Sequence, residues 1–385
     1  MAGVRACLYR RSRSRFISRP KLPLTRTLSL GAVLAIFFAT LPVWSETPST
    51  FAEYKPGPRL SGVIRSWGSD QMGPLMKIWE NGFHQYQPDI YFSDTLKGTA
   101  TAQFGLHEWV ADLAVSARKI YPYEFYGVYR RSLLYPVEIA VAGGSYNVPH
   151  KSAALAIFVN RANPLGKLTM KQLDGIYGAH RTGGWQDLNW HSEVARNADQ
   201  DVRTWGQLGL TGEWAAKPIH VYGPPGIYPG GISFFQSRVM GGADSWNESL
   251  QEYDDRVKMM EALNKDPYGI AYTSLNYQTS ETKPLALAER DGEPFVELSR
   301  ATATDRTYPL VRTAYIYFAP DHPDGSPAKV DPKIREFLLY ILSRQGQQDL
   351  AREGDYLPLT PALAADQVRK LEAQSQGKPA KAGEQ

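Results

Sequence analysis

One cysteine occurs in 385 residues, Cys7, and it lies close to the N-terminus. The rest of the chain therefore has no disulfide framework, thiol nucleophile or thiolate metal site. Acidic residues are missing from the first 26 positions, which carry Arg5, Arg10, Arg11, Arg13, Arg15, Arg19, Lys21 and Arg26. Long hydrophobic runs are scarce as well. The apolar stretch 28–41 falls short of the roughly 20 residues that span a bilayer. No phosphate-loop, dinucleotide or Gly-x-Ser-x-Gly fingerprint occurs. The seven histidines (His84, His107, His150, His180, His191, His220 and His322) contain no pair at metal-ligand spacing. Catalysis finds no support in these patterns, and neither a cofactor nor a metal is expected.

A basic flank, a short apolar stretch and small residues near Val43-Trp44-Ser45 together predict a secretory signal over 1–45, cleaved around Ser45 or Glu46, with an uncleaved membrane anchor as the competing reading. Without a cysteine at the cleavage point the product is not a lipoprotein, so a free periplasmic protein is expected. The signal also distorts the charge. The whole chain is formally +4, but loss of the eight basic leader residues leaves 35 Lys and Arg against 39 Asp and Glu, about −4. A basic nucleic-acid footprint is absent, and no nucleic-acid partner is expected.

The composition, 43% hydrophobic and 21% charged, is that of a soluble globular protein, and the length suits a leader plus two lobes. Residues 46–59, rich in Pro, Ser and Thr, read as a linker. Short β-rich runs then alternate with helical patterns, the signature of an α/β fold. Strands are expected at 62–66, 90–93, 112–116, 138–141 and 155–159. A helix over 71–86 carries Met72, Leu75, Trp79 and Phe83 on one face, with Ser69 or Asp70 as N-cap. A second helix over 169–177 opens on the capping box Thr169 to Gln172 and stops at Gly178. A third begins at Asp331-Pro332, with Gly346 interrupting before a short final helix. The tail beyond Leu371 is expected to be disordered.

Four loops carry the chemistry. Ser66-Trp67-Gly68-Ser69-Asp70-Gln71 takes a strand through a Gly turn into a helix, where backbone N–H groups and the helix dipole favour an anion. Lys97-Gly98-Thr99-Ala100-Thr101-Ala102 adds two hydroxyls on a small-residue turn. Ser116-Ala117-Arg118 ends a strand with a guanidinium fork suited to an oxyanion. Residues 222–231 are too rich in Gly and Pro for regular structure. Each has a plainer reading: an ordinary turn, or a surface ion-pair arginine. His150-Lys151 reads as solvated.

These four loops in this order resemble the phosphate-binding proteins of ABC transporters. Further matching stretches are Asn163-Pro164 with Leu168-Thr169-Met170-Lys171-Gln172-Leu173, and the run from Trp205 to Trp214. Others are Tyr268-Gly269-Ile270-Ala271-Tyr272, Tyr308-Pro309-Leu310 with Arg312, and Tyr356-Leu357-Pro358-Leu359. The resemblance covers about 61–371. It implies an α/β, two-lobed periplasmic-binding-protein fold with two crossover strands and a cleft between lobes. The first lobe would comprise 60–150 plus 313–371 and the second 151–312, with crossings near 153–159 and 312–318 and a disordered tail at 372–385.

The resemblance also implies a ligand set: Ser69, Asp70 and Gln71 from the first loop, Thr99 and Thr101 from the second, Ser116 and Arg118 from the third, and Gly230 and Gly231 from the fourth. The chain departs from the family at several of these points. Gln71 stands where Thr is common and Ala117 where the family has Ser or Asp. In the fourth loop the family's Gly-Arg followed by Ser-Gly-Thr becomes Gly223-Pro224 and later Pro229-Gly230-Gly231. Charge-assisted contacts are worth about 1.5–3 kcal/mol each, so loss of that Arg and two hydroxyls weakens phosphate binding unless other groups compensate. The implied partners are inorganic phosphate or another small anion and an inner-membrane ABC permease, with the protein itself a monomer. An organic ligand contacted by Trp67, Tyr222 and Tyr228, and a sensor or scaffold role, are the alternatives.

Overall fold

The computed structural model describes residues 50–186, 188–224, 230–320 and 329–377. The expected signal, the central part of the fourth loop and the last eight residues lie outside them.

The chain runs β1 (Ser61–Gly68), α1 (Gly73–His84), β2 (Asp89–Leu96), α2 (Ala102–His107), β3 (Leu113–Ser116), α3 (Pro122–Ser132) and β4 (Val137–Gly143), then leaves this lobe. The second lobe holds β5 (Ala156–Asn160), β6 (Lys167–Thr169), α4 (Met170–Tyr177), β7 (Gly184–Gln186), β8 (Asn189–His191), β9 (His220–Gly223), α5 (Gly231–Val239) and β10 (Gln251–Glu252). It continues with α6 (Arg256–Lys265), β11 (Gly269–Thr273), β12 (Thr282–Pro284), β13 (Ala286–Ala288) and α7 (Arg300–Thr304). The chain then returns to the first lobe as β14 (Thr313–Phe318), α8 (Pro332–Leu342), α9 (Arg344–Glu353) and α10 (Pro361–Ser375). Each lobe has a five-stranded sheet, ordered β2-β1-β3-β14-β4 in the first and β10-β9-β11-β5-β12 in the second. In both, a parallel block (β2, β1, β3; β10, β9, β11) meets antiparallel neighbours supplied by the crossing chain. The crossing chain segments bond to each other: Gly144 N–H donates to the Arg312 carbonyl at 2.8 Å, and Leu155 N–H to that of Leu310 at 3.0 Å.

Each lobe has its own core. In the first, Trp79, Phe83 and Phe337 are fully buried, with the Phe83 and Phe337 rings 5.2 Å apart. In the second, Phe235 of α5 stacks on Tyr272 of β11 at 4.1 Å, and Tyr177 meets both edge-on. A buried side chain of this size contributes about 1.5–3 kcal/mol, so Phe235 fixes α5, and with it the glycines at its start, against the sheet.

Several local expectations change. The first helix starts at Gly73 after a 3₁₀ turn at Asp70–Met72, and no side chain caps it. The Ser69 hydroxyl is buried without a partner, because the turn directs it inward. The part of the expected linker that is described is packed: Tyr54 is 5% exposed, its hydroxyl donates to Glu336 at 2.9 Å, and Arg344 N–H donates to the Ala52 carbonyl. Apolar burial outweighs the Pro-rich composition there. Gly346 does not interrupt a helix; the break falls at Ser343, and Gly346 lies inside α9 because Tyr340 and Ile341 pack too close for a side chain. Helix α10 extends past Leu371 to Ser375, with Leu371 fully buried, so the start of the expected disordered tail is helical.

Candidate functional site

In sheets of this kind, loops at the carboxyl ends of parallel strands converge on the ligand crevice. Here they do so from both lobes. Strand β1 ends at Gly68 with φ +141°, where a Cβ would stand 2.0 Å from the Val115 carbonyl oxygen. Only glycine permits that approach. It lets Ser69 N–H donate to the same carbonyl at 2.8 Å and swings Asp70 and Gln71 into the cleft. Strand β2 leads to Gly98, whose N–H donates to the Gly68 carbonyl at 2.9 Å, and then to Thr99 and Ala100. Strand β3 leads to Ala117 and Arg118. From the other lobe come Gly230 and Gly231 at the start of α5, Arg256 at the start of α6, Thr273 at the end of β11, and Ser274, Asn276 and Tyr277 beyond it. These groups line a cleft of about 480 Å³.

The crossing segments form its floor. The Ala117 carbonyl accepts from Ser152 Oγ at 2.8 Å and from Arg312 Nη2 at 3.2 Å, tying the third loop to both crossings. Lys151, whose side chain is 12% exposed, donates from Nζ to the Gln71 carbonyl at 2.8 Å and pairs with Asp355 at 3.1 Å. The expectation of a solvated Lys151 is therefore corrected: it braces the first loop from below. His150 lines the cleft at φ +59°.

Of the nine residues expected at the site, Asp70, Gln71, Thr99, Arg118, Gly230 and Gly231 line the cleft. Three hydroxyls expected there are not in its lining. Ser69 is fully buried, Thr101 Oγ1 donates back to the Gly98 carbonyl at 2.8 Å, and Ser116 Oγ donates to the Arg118 carbonyl at 2.6 Å. Local main-chain acceptors outcompete a distant ligand for the Thr101 and Ser116 hydroxyls. Arg118 is also committed, giving two parallel hydrogen bonds to Glu124 at 2.8 and 2.9 Å and lying 4.0 Å over the Tyr121 ring.

Sequence reasoning missed Arg256 and Arg312 as site residues. Arg312 keeps an intermediate accessible surface on the cleft, yet enough protein surrounds it that lost hydration pushes its pKa down to about 10. Tyr222, offered as a ligand aromatic, is buried and donates to Asp266 at 2.7 Å; neither it nor Trp67 is among the cleft-lining residues, and Tyr228 lies outside the described residues. Among the described residues no cluster of His, Cys, Asp or Glu is arranged to hold a metal, and no helix is long and apolar enough to cross a membrane.

Comparison with known proteins places this geometry in context. A family model described as a PBP superfamily domain matches residues 53–345. The chain is 32% identical over 321 residues to the phosphate-binding protein PstS of Pseudomonas aeruginosa, covering 83% of this chain and 90% of that protein. It is 22% identical over 305 residues to protein SphX of Synechococcus elongatus, covering 78% and 79%. The crystal structure of PstS from Borrelia burgdorferi aligns with a TM-score of 0.50 at 14% identity, covering 78% of this chain and 99% of that one, a likeness of fold.

Proposed function

Because the chain belongs to the PBP superfamily, we propose that it is the receptor of an ABC importer, binding a small oxyanion between its lobes, inorganic phosphate first. The observation that carries this reading is the cleft's charge. Four cationic side chains (Arg118, Lys151, Arg256 and Arg312) and one carboxylate, Asp70, line the cleft. Glu124 and Asp355 pair with Arg118 and Lys151 from outside the lining, so Arg256 and Arg312 carry its positive excess, beside the opening of α5. Helix N-termini and guanidinium groups both favour oxyanions. The name of the Pseudomonas relative, a phosphate-binding protein, supports phosphate as the first ligand to test.

The remaining roles follow from that reading. The protein acts as a monomer in the periplasm, exported by its N-terminal signal, and passes its ligand to an inner-membrane permease. It performs no chemistry on the ligand. Of the three aromatics behind the organic-ligand alternative, Trp67 and Tyr222 are absent from the cleft lining and Tyr228 lies outside the described residues.

Titration of the exported protein with inorganic phosphate in a calorimeter tests the proposal. Saturable one-to-one heat is expected. Flat heats at millimolar phosphate, together with no thermal shift from other oxyanions, exclude an oxyanion receptor.

A further inference from the structure

The cations of the cleft divide into two kinds. Arg118 is neutralised by Glu124, and Lys151 by Asp355. Arg256 and Arg312 have no carboxylate at ion-pair distance among the described residues. Arg256 opens α6 from the second lobe, its guanidinium 6.0 Å from the ring of Tyr277, another cleft residue. Arg312 rises from the crossing and, among the described residues, donates one hydrogen bond, to the Ala117 carbonyl. A guanidinium has five N–H donors, so most of those on Arg312 lack a protein acceptor among the described residues. It also faces the start of α5: a Cβ on Gly230 would lie 3.2 Å from its Nη2. Both arginines line the same cleft, where burial first and the charge of Arg256 second disfavour the charge of Arg312. Uncompensated, partly buried like charges are costly unless a counter-ion occupies the space between them.

We propose that Arg256 and Arg312 form a guanidinium pair that grips the oxyanion from the second lobe and from the crossing, in place of the arginine that the phosphate-binding pattern carries in the loop at 223–231. This rests on the oxyanion-receptor reading and specifies which groups supply its charge. The committed pairing of Arg118 fits the same scheme, since that residue orders the third loop while the anion's charge is met by the other two. The replacement of the pattern's arginine by Pro224 in the fourth loop is then tolerated because the charge has moved to other elements of the cleft.

The test is calorimetric titration of inorganic phosphate into the exported wild-type protein and the variants R256Q, R312Q, R312K and R256Q/R312Q, with ligand-free melting recorded for each. At least a tenfold rise in Kd is expected for each single Gln variant, with partial recovery in R312K and no detectable heat in the double variant. The dependence of log Kd on log salt should also become shallower in each. A merely structural Arg312 would move ligand-free melting while leaving that salt slope unchanged, and such a result overturns the proposal. Should R312Q fail to fold, R256Q decides: a tenfold loss supports the pair, and an unchanged Kd overturns it. Wild-type binding that survives both substitutions overturns this inference alone. No phosphate binding by the wild type overturns the receptor reading and this inference together.

Discussion

Glu124 holds both terminal guanidinium nitrogens of Arg118, at 2.8 and 2.9 Å, with the two side chains 9% and 8% exposed. The carboxylate thus cancels a positive charge at the cleft wall. Replacing it by Gln keeps a hydrogen-bonding group and releases that charge. Glu124→Gln should strengthen phosphate binding by on the order of 1 kcal/mol, roughly fivefold in Kd, while lowering folding stability by about 1–3 kcal/mol. Calorimetry and urea unfolding on the same preparation measure both effects.

Gly230 has φ +101° and stands against Arg312. A methyl group there strains the backbone by about 1–3 kcal/mol and presses on the guanidinium. Gly230→Ala should both lower the melting temperature and weaken phosphate binding. Gly231→Ala, which meets nothing within 4 Å and carries no positive φ, should do neither to the same degree. A pair of variants with equal effects would contradict the assignment of Gly230 as the close-contact position.

Glu80 of α1 is 3% exposed, and burial followed by the nearby Asp94 raises its pKa to about 8. Its folded-state pKa lies above its unfolded value, so the native state holds the proton more tightly. The stability linked to that proton is fully present below about pH 4.5 and is lost as pH rises towards 8. Glu80→Gln should flatten the fall in stability between those limits and leave the variant more stable than the wild type at pH 8. The gain should be at least ~1.4 kcal/mol, the worth of one pKa unit. Urea midpoints measured from pH 5 to 8.5 check this.

Tyr54 donates to the buried carboxylate of Glu336 at 2.9 Å and packs edge-on against Tyr86 and Tyr340. Tyr54→Phe keeps the ring and removes the donor, so a loss of about 1–3 kcal/mol is expected. Phosphate affinity should stay unchanged, because this contact lies in the first lobe's core, away from the cleft. A variant as stable as the wild type would return the segment around Tyr54 to the status of a linker.

The elements legible in the sequence were those with strong local signals. The alternation of β-rich and helical runs placed β1 to β5 within a few residues of their observed bounds, and the Thr169–Gln172 capping box marked the start of α4 and Gly178 its end. The first three cleft loops were legible for a related reason, since each follows a strand and turns at small residues. Fates decided by tertiary contacts were not legible. The hydroxyls of Thr101 and Ser116 turn to carbonyls two or three residues away, and Arg118 is claimed by Glu124 six residues on. Arg256 has no local signature at all, because its place in the cleft depends on how α6 lies beside β11. Arg312 was visible as part of a matching stretch, but only the geometry of the crossing puts it beneath the first lobe's loops.

Arg312 stands where the backbone passes between the lobes, and its own carbonyl receives the Gly144 N–H of the neighbouring passage. In a body that folds about such a seam, points on the rotation axis travel least, whereas loops at the rim sweep the widest arc. A cation mounted at the fulcrum keeps nearly the same position whether the jaws are apart or together. In the proposed receptor it would hold an incoming anion before the rim moves, and Arg256 on the far jaw would be the group whose arrival completes the grip.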